Sequence, residues 1–173
     1  MNLKITGEEL KGLKRVAQVL NEYKQRRVKV GFLGGSYPNG ESYASVAYLH
    51  EFGSETPRTF VYKGKNITIK GVPTRSILRV PIKTHPKKLR GKDDIVRAAL
   101  LLDLKHGYTG VALKMLGANA EKIVQEAFDT QGYGKWEHNI SKKYKILKGS
   151  DIPLIDTGKL RGAVASQVYK EGV

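Results

Sequence analysis

The chain has 173 residues, no cysteine, and 31 Lys+Arg against 16 Asp+Glu, a formal net charge of +15. That length fits one domain spanning 1–173, enough to bury roughly 70% of the surface an unfolded chain exposes. Without cysteine there are no disulfides, thiolate metal sites or thiol catalysis, which fits a reducing cytoplasm, and no apolar run approaches the roughly 20 residues of a bilayer span.

Met1–Gly7 lacks an apolar core of signal-peptide type, so secretion is not expected. Thr6 followed by Glu9 has the spacing of a capping box. Leu10, Leu13, Ala17 and Leu20 then share one helical face, so residues 7–24 are predicted to form an amphipathic helix with that face in the core. Val28, Val30 and Phe32 alternate with Lys29 and Gly31 as in a half-buried strand. After a Gly34–Gly40 loop, Ser42 caps a short helix from Tyr43 to Phe52 that Gly53 ends. Thr59–Tyr62 and Ile67–Lys70 read as a hairpin around Lys63-Gly64-Lys65-Asn66. Its apolar content is thin, so a basic insertion at about 56–72 is expected to project and to be mobile until covered.

Pro73–Pro81 is a link that returns to the core through Ile77, Leu78 and Val80. Asp93 or Asp94 starts a helix whose run from Ile95 to Leu104 is apolar nearly all round, which calls for cover on more than one side, in so small a domain by another subunit. Residues 108–128 give the most regular helix, with Ala112, Leu116, Ala120, Ile123 and Ala127 on one face and Gly117 allowing a close neighbour. At the far end, Gly149-Ser150-Asp151 turns into Pro153-Leu154-Ile155, and Asp156 and Thr157 stand where a helical turn needs a capping oxygen. Gly158 and Leu160 follow, Leu160 aimed at the core, and Ala163–Val168 reads as a closing strand. The expected fold is α+β: a small, mainly antiparallel sheet of strands near 28–33, 59–70 and 163–170. The helices 7–24 and 108–128 pack across it, and the basic hairpin projects.

Between Glu55 and Asp93 there is no acidic residue but eleven basic ones: Arg58, Lys63, Lys65, Lys70, Arg75, Arg79, Lys83, Lys87, Lys88, Arg90 and Lys92. Such a block is a solvated surface, a contact for duplex phosphate, or a dock for acidic protein faces. Chemical motifs are weak by comparison. Gly31–Gly35 lacks the Gly-Lys-Ser/Thr ending of a phosphate loop. His50-Glu51 lacks a second histidine at 54, where Ser54 stands, so the pair reads as a helix end hydrogen-bonded to neighbouring backbone, with Phe52 as a core anchor. Asp151 and Asp156 read as caps and ion-pair partners in preference to a catalytic carboxylate pair. No nucleophile stands with a base, so no enzyme, metal or cofactor is expected.

Four segments resemble one family. Lys148–Val164, KGSDIPLIDTGKLRGAV, is similar to the "KGS..PLIDTG.LR.S" signature of tailed-bacteriophage tail-completion, or neck, proteins. Tyr43–Ala47 with His50, Glu51, Phe52 and Gly53 resembles "YA.VA..HEFG"; Pro73, Arg75, Leu78 and Arg79 resemble "IP.R.FLR"; Phe128, Thr130, Gly132, Gly134 and Trp136 resemble "F.T.G.G.W". Ile77 stands where the family usually has Phe, and Gly162-Ala163 where Ser-Ile is common. The resemblance implies a virion-assembly protein at the head–tail junction, made in the host bacterial cytoplasm. It implies a ring of identical copies, six by analogy with tails, and contacts to head-completion, tail-terminator or tail-tube proteins, with phage DNA close by and no membrane. Arg58, Lys63, Lys65, Lys70, Lys83, Lys87, Lys88 and Arg90 are the candidate contacts to acidic partners or DNA. The charge alone also permits a free nucleic-acid-binding protein.

Overall fold

Thr6 and Glu9 start the first helix as their spacing requires: the Thr6 hydroxyl accepts from the Glu9 N–H, and the Glu9 carboxylate accepts from the Thr6 N–H at 2.7 Å. The computed structural model describes residues 6–62, 64–137, 154 and 158–172. Lys63, Pro153, Asp156 and Thr157 therefore lie outside the described residues. In chain order the elements are α1 (Gly7–Lys24), β1 (Arg26–Gly31), α2 (Tyr43–Phe52), β2 (Arg58–Tyr62), β3 (Lys65–Ile69), α3 (Arg79–Thr84), α4 (Pro86–Arg90), α5 (Ile95–His106), α6 (Val111–Asp129), a one-turn α7 (Gln131–Gly134), α8 (Lys159–Gly162) and β4 (Ala165–Lys170). The class is α+β, with small sheets. The strands form two separate two-stranded sheets, β1 with β4 and β2 with β3, and not the single sheet expected. The hairpin pairs within itself from Arg58↔Ile69 to Tyr62↔Lys65.

The chain divides into two units interleaved in sequence, one of residues 1–30, 87–120 and 166–173, the other of 31–86 and 121–165. In the first, α1 packs on α5. Val19 is buried, while Val16 and Tyr23 are partly so. The face expected in the core, Leu10, Leu13, Ala17 and Leu20, is exposed instead. Both stripes are apolar and only about a third of a turn apart, so helical period alone does not say which one α5 takes. α5 likewise buries Ala99 and Asp103 and exposes Ile95, Leu101 and Leu102. β1 and β4 are tied at their ends by Glu171 N–H donating to the Gln25 carbonyl at 2.7 Å and by an Arg27–Glu171 ion pair at 2.7 Å. Gly117 of α6 lies against this sheet: a Cβ there would stand 2.5 Å from Ser166 Oγ, 2.9 Å from Ser166 Cβ and 3.2 Å from a Val28 methyl.

Asp103 is the buried acid of this unit. It accepts from the Tyr23 hydroxyl at 2.6 Å and from the Thr109 hydroxyl. Burial works to raise its pKa, but these bonds and the N–H groups of Thr109 and Gly110 outweigh it and hold the carboxyl below its usual value. Burial and the bond to this carboxylate push the Tyr23 phenol well above its own. Tyr108 meets Tyr23 edge-on at 5.2 Å, and the Arg26 guanidinium lies over Tyr108 at 4.6 Å.

The second unit holds the main apolar cluster: Phe32, Ala47, Ile77, Val124, Ala127, Phe128, Trp136, Leu160 and Val164. Leu160 points inward as expected, and Leu154 packs against the cluster. Leu78 does too, but Val80, expected beside it, is exposed. Gln131, Gly132, Tyr133 and Gly134 all have positive φ, a left-handed turn that reverses the chain after α6. Gly132 is required there, because a Cβ would collide with the Trp136 indole.

Two outcomes are expected. Gly117→Ala lowers stability by about 1–3 kcal/mol despite alanine's better helix propensity, because Ser166 Cβ sits on a strand and cannot rotate away. Adding Ser166→Gly recovers most of the lost melting temperature. Asp103→Asn is less stable than the parent at pH 7 by roughly 1–3 kcal/mol, from donors left badly paired. The folded carboxyl titrates below the unfolded value of about 3.9, so its contribution is complete above that pH and is lost as pH falls through the folded value. The gap between the two proteins therefore narrows in denaturant titrations below about pH 4.

Candidate docking site

The family-like segments of the second unit converge on one carboxylate. Glu51, on the last turn of α2, is 5% exposed. Its Oε2 accepts from the Ile77 N–H at 2.7 Å and the Leu78 N–H at 2.9 Å. Its Oε1 accepts from Ser76 Oγ at 2.5 Å and the Arg79 N–H at 3.3 Å. Leu78 at the N-cap of α3 has no capping side chain, so Glu51 supplies the missing acceptor from another helix. Ser76 Oγ in turn accepts from the Val80 N–H at 3.0 Å. Glu51 does bond to backbone as expected, but to a segment far along the chain and not to its neighbours.

The surrounding residues hold these two segments together. The Arg75 N–H donates to the His50 carbonyl at 2.6 Å, and Ser54 and Val72 exchange two backbone bonds at 2.8 and 2.7 Å. The Arg75 guanidinium is buried, and its Nε and Nη2 donate to the Glu137 carbonyl at 3.0 and 2.9 Å. Trp136 Nε1 donates to the Ser76 carbonyl at 3.3 Å, and its ring meets Phe128 edge-on at 5.7 Å. Thus HEFG, PTRSILR and the Phe128–Trp136 segment interlock around Glu51.

Phe52 is not the core anchor expected of it. It is 54% exposed and pairs with Tyr48, itself 66% exposed, at a ring separation of 4.8 Å. The spacing i, i+4 puts both rings on one outer face of α2. With Ala47 and Glu51 on the buried face of α2, position 52 falls on the exposed one. Arg79 lies over Phe52 at 5.8 Å, and its Nε approaches Glu51 at 3.7 Å. Next to the rings is a groove of about 550 Å³ lined by Glu41, Ser45, Tyr48, Leu49, Ser54 and Arg58, among others. Arg58 faces Glu41 across it at 3.8 Å. Lys65 and Lys70 on the hairpin and Lys83 on α3 are exposed in the same unit. Lys87, Lys88 and Arg90, also exposed, belong to α4 of the first unit. The sequence run of basic residues is thus divided between the two units. Tyr48 and Ser76 were missed from the sequence, although the aromatic i, i+4 pair was a usable signal for Tyr48.

Tyr133 and His85 of this unit are engaged in structure. Tyr133 donates to the Ile123 carbonyl at 3.1 Å and to Glu126 at 3.3 Å, and burial followed by the Glu126 charge pushes its phenol up to about 12. His85 stacks on Tyr133 at 3.9 Å. Among the described residues no group of three or more His, Asp or Glu is arranged to hold a metal ion. No helix among them is long and apolar enough to cross a membrane. The chain matches no family model, curated protein or solved structure.

Glu51→Ala should lower stability by roughly 3 kcal/mol or more, because several N–H groups lose their acceptor together. Glu51→Gln should fall between, since its amide keeps one acceptor but turns an NH₂ toward donors. Thermal melts of the three proteins give the order.

Proposed function

We propose that the protein is a structural component of phage virion assembly, acting at the head–tail junction to join finished tails to DNA-filled heads. What supports this reading is the use made of the motif residues. Glu51, Arg75, Ser76 and Trp136 are occupied in holding the fold, while the same segments turn Tyr48, Phe52 and Arg79 to solvent. Exposed aromatics beside arginine are the residue types that carry binding energy at protein interfaces. Lys65, Lys70 and Lys83, exposed on the same unit, add positive charge, which favours acidic partner faces. The chain would act as a ring of copies, six by analogy, between head-completion and tail proteins, with no reaction of its own.

The exposed lysines equally favour a second reading, independent binding to nucleic acid. The two differ in salt dependence and in phenotype. A phage lacking the chain should accumulate separate full heads and finished tails in electron micrographs. Parent protein should restore joining, and Tyr48→Ala/Phe52→Ala protein should restore it at least 10-fold less well, as expected when interface anchors are truncated. Normal virions from the deletion phage overturn the proposal. DNA retardation that is tight at low salt and collapses as salt rises, whatever the DNA sequence, supports the second reading.

A further inference from the structure

The exposed stripe of α1 has a register of its own. Leu10, Leu13, Ala17 and Leu20 are separated by three, four and three residues, the a-d-a-d spacing of a two-helix seam. Leu10, Leu13 and Leu20 are 48%, 58% and 47% exposed, while α5 covers the adjoining Val19 side of the helix. The stripe is two heptads long and made of leucine and alanine, so what fits against it is another helix.

Charge indicates which helix. Although the chain carries +15, α1 is close to balance, with Glu8, Glu9 and Glu22 against Lys11, Lys14, Arg15 and Lys24. It is therefore a surface on which two copies of so basic a protein can meet without strong repulsion. In the heptad frame Glu9 is at g and Lys14 at e. A parallel second copy sets Glu9, whose capping bonds with Thr6 both fall on Oε2, against Lys14 of its mate on both sides of the seam through Oε1, the g–e′ pairing of parallel coils. An antiparallel copy sets Lys14 against Lys14. We infer that α1 is a self-association face, pairing in parallel with α1 of a second copy through Leu10, Leu13, Ala17 and Leu20.

Two heptads bury less than the roughly 1,200 Å² of a stable interface, so the pair is weak and concentration-dependent. The contact is two-fold and closes at two copies, unlike the head-to-tail contact of a ring. The inference therefore does not rest on the role in virion assembly. It is read on purified protein, and that role on phage.

The absence of native cysteine makes cross-linking clean. Under mild oxidation, Leu13→Cys and Ala17→Cys proteins should each form covalent dimers, and Gln18→Cys, on the polar side of α1, should not. Adding Leu20→Glu to Leu13→Cys should abolish the dimer while far-ultraviolet circular dichroism stays unchanged, since Leu20 is already half exposed. In sedimentation equilibrium the parent mass should rise from 19.2 kDa toward twice that as protein is concentrated, and the Leu13→Glu/Leu20→Glu mass should not. Dimers that appear only when Leu13→Cys is mixed with Ala17→Cys overturn the parallel pairing. A parent that stays monomeric at millimolar concentration, with no cross-link at 13 or 17, overturns the self-association face.

Discussion

A carboxylate held out of water must be surrounded by donors, and Glu51 is surrounded by the backbone that begins α3. Burying a charge without such partners costs several kcal/mol, so the alternative arrangements of these segments are disfavoured strongly. The bonds run from one helix end to another, which fixes the angle at which the chain leaves α2, makes its excursion through the hairpin and returns. Everything the second unit presents outward follows from that fixed return: the Tyr48–Phe52 pair, the groove beside it and Arg79.

The first unit repeats the device with Asp103, whose carboxylate gathers Tyr23 from α1 and Thr109 from the turn after α5. In a chain with about twice as many basic as acidic residues, two of the scarce acids are thus placed inside, each completing a set of donors. The bases remain outside, where their mutual repulsion is softened by solvent and salt. Removing one buried acid leaves donors unmatched and adds to the positive excess, so both effects act in the same direction.

Local signals in the sequence carried well. The Thr6–Glu9 box, the Ser42 cap and the stripe from Ala112 to Ala127 depend on residues within a turn or two of one another, and each formed where its spacing placed it. Gly117 was legible as a place of close approach, though only the fold names Ser166 and Val28 as what approaches. What failed required knowledge of distant partners. α1 has two apolar stripes, and the choice between them belongs to α5. Phe52 sits beside Glu51 in sequence, but α2 buries the face of Ala47 and Glu51 and leaves Phe52 on the face of Tyr48. The separation into two sheets puts β1 beside β4, a partner far along the chain that no local signal names. The capping role planned for Asp156 falls outside the described residues.

The pairing of β1 with β4 has a bearing on how the molecule is made. Gln25 emerges from the ribosome well before Glu171, and the unit they close also draws on residues 87–120 between them. Synthesis at some 5–20 residues per second leaves β1 without its mate for many seconds. During that interval the nascent chain carries an unsatisfied strand edge, of the kind chaperones shield and aggregates exploit. The alternation of Arg26, Arg27 and Lys29 with Val28 and Val30 supplies the charge that natural edges use as protection. A strand that looks ordinary in the finished molecule is therefore also fitted to a long wait.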